Sequence, residues 1–87
     1  MYVKIHTTRD SFGSRTVIAV CDENILGKVL HGKNIKFKVS EHFYKGEKKT
    51  EQEVIPLLKQ AENINLAGKE AVAAGIRRIK ATLEKMA

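Results

Sequence analysis

Apolar and polar positions alternate in two stretches of the first half of the chain. In residues 2–6, Val3 and Ile5 point to one side while Tyr2, Lys4 and His6 point to the other, a period of two that predicts a strand. In residues 35–39, Ile35, Phe37 and Val39 alternate with Lys36 and Lys38. A strand is expected there too, with the apolar three against the core and the lysines toward water or a partner. Residues 15–21 carry Thr16, Val17, Ile18 and Val20, apolar on both faces, which suits a central strand covered on both sides. Asp10, Ser11, Gly13 and Ser14 mark a turn across residues 7–14, so the first two strands are expected to form a hairpin with a long loop. Residues 28–30 read as a short extended piece, followed by a turn at residues 31–34.

The second half changes period. Thr50 and Glu53 stand at capping-box spacing and open a helix. Pro56, past the first turn, removes one backbone bond and predicts a kink or a restart. From Ile64 onward apolar residues recur at helical spacing through Ala67, Ala71, Val72, Ile76, Ile79, Leu83 and Met86. The last five follow a four-three-four-three rhythm, one stripe directed at the sheet or at a partner helix. Gly68 and Gly75 lie on or near it and permit close backbone approach. Asp22 is expected to cap a short helical turn that Gly27 ends, and Ser40 to cap another over residues 40–44.

Strands first and helices after predict the α+β class. The expected sheet is small and mostly antiparallel, of about three main strands, covered on one face by one or two C-terminal helices. The 87 residues are read as one domain, strand-rich to residue 49 and helical from residue 50.

Composition narrows the setting. A hydrophobic share of 43% with 30% charged residues separates the chain from disordered sequences. The longest uncharged apolar run, residues 16–21, is far too short to span a membrane. Residues 1–5 have no signal-peptide core, and the lone Cys21 has no partner for an internal disulfide. These features predict a cytoplasmic protein.

The net charge of +6 turns attention to polyanions. Residues 28–49 hold seven lysines against Glu41 and Glu47, +5 of that total. Lys33, Lys36, Lys38, Lys45, Lys48 and Lys49 in this segment, with Arg77 and Arg78 on the last helix beside Lys80, are the candidate phosphate-binding residues. The alternative is a solubilising lysine surface, in which Lys36 and Lys38 only guard a sheet edge. Five aromatics, none in an RNA-recognition signature, favour contact through backbone and shape over base reading. Cys21 with His6, His31 and His42 permits a nucleophile–base reading, but Cys21 ends an apolar strand and a buried thiol is expected. No metal-ligand spacing and no phosphate loop occur, so neither metal nor cofactor is expected.

Three stretches together resemble an archaeal family, domain-of-unknown-function family 424. They are Ala19-Val-Cys-Asp-Glu-Asn-Ile-Leu-Gly-Lys28, Val39-Ser-Glu-His-Phe-Tyr-Lys-Gly46 and Asn65-Leu-Ala-Gly-Lys-Glu-Ala-Val72. The resemblance covers roughly residues 2–76, and the first stretch is the most specific. It implies an archaeal cytoplasmic protein and hints at a setting near translation. A family site would carry over to Cys21, Asp22, Leu26, Gly27 and Lys28, whose structural alternative is a strand end, a cap and a turn. Family members continue past Ile76 into a loop and a short strand, whereas residues 77–87 here read as more helix.

Three functions are therefore expected in order. The first is a basic module that binds RNA or the ribosome through a lysine-rich face. The second is a protein-interaction or self-associating module working through the C-terminal helix. The third is a cysteine-dependent enzyme.

Overall fold

The computed structural model describes residues 1–86, with side chains as far as residue 79. Two long strands, β1 (Tyr2–Asp10) and β2 (Gly13–Cys21), form an antiparallel hairpin in which Asp10 pairs with Gly13 and Tyr2 with Cys21. The turn between them is only Ser11 and Phe12, so the long loop expected over residues 7–14 is instead paired strand. Thr7, Thr8 and Thr16 are β-branched and extend the ladder beyond the apolar run.

A 3-10 turn (Glu23–Ile25) leads into a separate two-stranded ribbon, β3 (Val29–Gly32) and β4 (Ile35–Lys38). After α1 (Glu41–Tyr44) comes β5 (Glu47–Lys48), a short edge strand antiparallel to β1. Helix α2 (Glu51–Gln60) precedes β6 (Asn63–Ala67), which pairs parallel to β2, and α3 (Lys69–Met86) follows. The main sheet has the order β5-β1-β2-β6. The α+β class holds, with small sheets that are mostly antiparallel. The main sheet, however, has four strands with one parallel pair, and it excludes the strand at residues 35–38.

Strand β2 is central and covered on both faces, as its double-sided apolar run requires. On one face Val3, Ile18 and Val20 pack with Val54 and Leu58 of α2 and Ala71 and Ala74 of α3. On the other, Ala19 and Cys21 pack with Val39, Tyr44 and Ala67. The Thr50–Glu53 capping box is present, and α2 runs through Pro56 without the expected restart.

Two expectations are corrected. Ile64 begins no helix: Ile64 and Leu66 alternate with Asn63 and Asn65, and that period of two wins because β2 offers a free edge to pair with. The apolar stripe of α3 does not face the sheet. Its small residues Ala71, Ala74 and Gly75 do, because a Cβ on Gly75 would strike Leu66, so the helix docks too closely for larger side chains. Val72, Ile76 and Ile79 point to solvent. The side chains of Leu83 and Met86, the rest of the stripe, lie outside the described residues, as does that of Lys80.

Candidate nucleic-acid interface

The expectation that Ile35, Phe37 and Val39 all reach the core fails for two of the three. Val39 is fully buried, and its backbone continues the ladder: Gly27 N–H donates to Val39 O, and Val39 N–H donates to Lys28 O, both at 2.8 Å. Beyond that point the ribbon leaves the body of the protein, and every residue of β3 and β4 is exposed. The phase of the alternation was right, but no element lies over it.

Register sorts the ribbon into two faces, because directly opposed residues share a side. His31 pairs with Lys36 and Val29 with Lys38, so two lysines and a histidine line one face. Leu30 pairs with Phe37 and Gly32 with Ile35, giving an apolar opposite face. Lys33 sits in the turn beside Asn34, whose φ of 64° lies in the left-handed region that asparagine tolerates. No acidic residue occurs between Asn24 and Ser40. Among the described residues, none of Lys33, Lys36 and Lys38 has an ion-pair partner.

The other basic candidates stand elsewhere and differently. Lys48 on β5 pairs with Glu23 at 2.6 Å, and Lys49 pairs with Glu47 at 3.2 Å. Their hydrogen bond holds Glu23 below the usual carboxylate range and Lys48 above its ordinary value. Arg77 pairs with Glu51. Glu23, Lys48, Lys49, Glu51 and Arg77 line a groove of about 620 Å³ that also takes in Glu53, Lys69 and Glu70, so its charges are mixed. Lys45 ends α1 and is exposed, and Arg78 is half-buried with contacts of its own. The ribbon thus gathers Lys33, Lys36 and Lys38, while Lys48, Lys49 and Arg77 are already offset by carboxylates.

The five motif residues form a structural junction. Cys21 ends β2, fully buried; burial pushes its thiol up, and the charge of Asp22 adds to the effect. Asp22 does not cap the 3-10 turn next to it. Its carboxylate instead accepts the Ala71 N–H at 2.8 Å and the Glu70 N–H at 3.0 Å, capping α3 from 48 residues away. Leu26 is half-buried against the Cys21 cluster. Gly27 takes φ 81° where the ribbon begins, and Lys28 is exposed.

Sequence reasoning passed over the tip of the β1–β2 hairpin. Phe12 is 91% exposed there, between Arg9 and Arg15. Gly13 between two β-branched runs is the local signal of this tight turn, but Asp10, Ser11, Gly13 and Ser14 together suit a longer loop equally well. Among the described residues no group of three or more His, Cys, Asp or Glu is placed to hold a metal, and no helix is long and apolar enough to cross a membrane.

These features define a small α+β domain with a mixed four-stranded sheet, two covering helices and a projecting basic ribbon. The chain belongs to the family described as protein of unknown function (DUF424), whose model matches residues 10–81. A comparison with curated proteins finds no match. Among solved structures it is similar to an uncharacterized conserved protein from Methanopyrus kandleri, with a TM-score of 0.70 and 27% identity over 88% of this chain and 71% of that one.

Proposed function

We propose that this protein is an RNA-binding module, acting on free or ribosomal RNA, whose principal contact is the basic face of the β3–β4 ribbon. One observation carries the reading. Lys33, Lys36 and Lys38 stand on a ribbon with no acid in its sequence, and among the described residues no carboxylate is paired to them. Lysines kept only for solubility would be interspersed with acids. The ribbon also stands clear of the body of the protein, so its lysines can lie along a phosphate backbone. The lysines supply point charges for phosphates and no planar base-reading fork, so contact is through backbone and shape. The translational setting hinted at by the family resemblance turns this polyanion reading toward RNA. The test is binding of a structured RNA at low salt by the native chain and by a Lys33→Glu, Lys36→Glu, Lys38→Glu variant. Binding by the first and loss by the second is expected; equal binding, or none by either, refutes the reading.

A second reading, self-association, rests on α3. Val72, Ile76 and Ile79 are exposed at coiled-coil seam spacing, and the rhythm continues in sequence to Leu83 and Met86. A second copy of the same helix is the occupant that this spacing suits.

A further inference from the structure

The β1–β2 hairpin extends past both core clusters. Every residue from Thr7 to Arg15 is exposed, so this half of the hairpin contributes to neither core cluster. The turn at its tip is nevertheless well built: the Phe12 N–H donates to Asp10 Oδ1 at 2.8 Å, and Asp10 pairs directly with Gly13. The turn presents Phe12 with 91% of its surface open. Arg9 pairs with Ser14 and Arg15 with Thr8, so the two arginines lie on opposite faces and flank the tip from both sides. Neither has an ion pair among the described residues. Asp10 is the single acid at the tip, leaving it net positive.

Resting on the RNA reading above, we infer that this tip is a second contact, which stacks an unpaired base of single-stranded RNA on the Phe12 ring while Arg9 and Arg15 reach the flanking phosphates. The surroundings of Phe12 decide between a base and a protein pocket. A pocket-seeking anchor normally sits within a larger apolar patch. Here the neighbours are Thr7, Thr8, Ser11 and Ser14; the nearest charge, the Asp10 carboxylate, is engaged by the Phe12 N–H, and the two guanidiniums beside it outweigh it. A lone ring among hydroxyls and arginines matches the alternation of base face and phosphate along a single strand. Stacking accepts any base, consistent with a protein that reads backbone and shape.

The experiment measures binding of the full chain to a labelled twelve-nucleotide unstructured RNA and to an RNA duplex of the same length. Phe12→Ala is expected to weaken single-strand binding about tenfold, within the range of one lost base stack. Duplex binding and the salt slope should be unchanged. Phe12→Trp should restore single-strand binding, and Arg9→Ala with Arg15→Ala should lower its salt slope. Phe12 packs against no core residue, so loss of folding will not confuse the result. If Phe12→Ala binds both RNAs like the native chain while the ribbon variant does not, this inference falls, the RNA reading stands, and the tip is left for a protein partner. If the native chain binds neither RNA, both fall.

Discussion

A Cβ on Gly68 would overlap the side-chain carboxyl carbon of Asp22, so these two residues, far apart in sequence, have settled each other's identity. Gly68 takes φ 101° between β6 and α3, where side chains are strained, and the room it leaves lets the Asp22 carboxylate reach the first N–H groups of α3. Asp22→Ala should cost about 1–2 kcal/mol for the lost cap. Gly68→Ala should cost more than about 2 kcal/mol, from backbone strain and overlap together. In an Asp22→Ala background part of the overlap is gone, so Gly68→Ala should cost at least about 0.5 kcal/mol less. Urea unfolding of the four proteins measures this coupling; strictly additive costs would contradict it.

Cys21 is predicted to be inert in the folded protein. It is fully buried, and burial favours the protonated thiol. A neutral alkylating agent at pH 7 should label it slowly before unfolding and quickly after. Rapid labelling of the folded chain would reopen the enzyme reading.

The same burial has a pH consequence. In the unfolded chain the thiol ionises near about 8.5, while the folded state keeps its proton to higher pH. Above that value the unfolded state binds fewer protons, so stability falls as pH rises. Tyr44, also raised mainly by burial, adds to the fall from about pH 10. Between pH 8 and 10 the melting temperature of the native chain should drop more than that of Cys21→Ala. Parallel curves would show that Cys21 makes no such contribution.

What could be read from the chain was whatever local pattern decides. The β2 run, the capping box at Thr50 and the α+β class were legible because each rests on neighbouring residues. Strand β6 was not, since Ile64, Ala67 and Ala71 also fit a helical period and only the free edge of β2 breaks the tie. Asp22 was legible as a cap but not as the cap of α3, because its partners lie across the fold. Phase was legible at Ile35 and Phe37 and coverage was not: alternation says which residues share a face, and nothing local says whether another element lies over it. At the site, the basic segment was visible, but not its division into free lysines on the ribbon and paired ones near Glu23, Glu47 and Glu51.

That division is testable one residue at a time. Lys48 already serves Glu23, so Lys48→Ala should weaken RNA binding less than Lys36→Ala does. Both side chains of the pair are well exposed, so the melting temperature should stay close to that of the native chain. In Lys48→Ala the Glu23 carboxyl, followed by NMR, should titrate at higher pH than in the native chain. A larger binding loss from Lys48→Ala than from Lys36→Ala would move the contact to the groove beside α2.

Self-association through α3 makes a separate forecast. The native chain should show a dimer mass at high concentration, and Ile76→Asp should return it to monomer without loss of fold, since Ile76 is 59% exposed. A native chain that stays monomeric leaves the stripe without this role.

The salt dependence of RNA binding bears most directly on the ribbon. Each phosphate neutralised contributes about 0.7 to the slope of log K against log salt on single-stranded RNA. Replacing Lys33, Lys36 and Lys38 by Ala should therefore flatten the slope by about 2, while the same replacement of Lys48 and Lys49 should flatten it by well under 1. Equal slopes for the native chain and the ribbon variant would contradict the assignment of the ribbon as the phosphate-binding element.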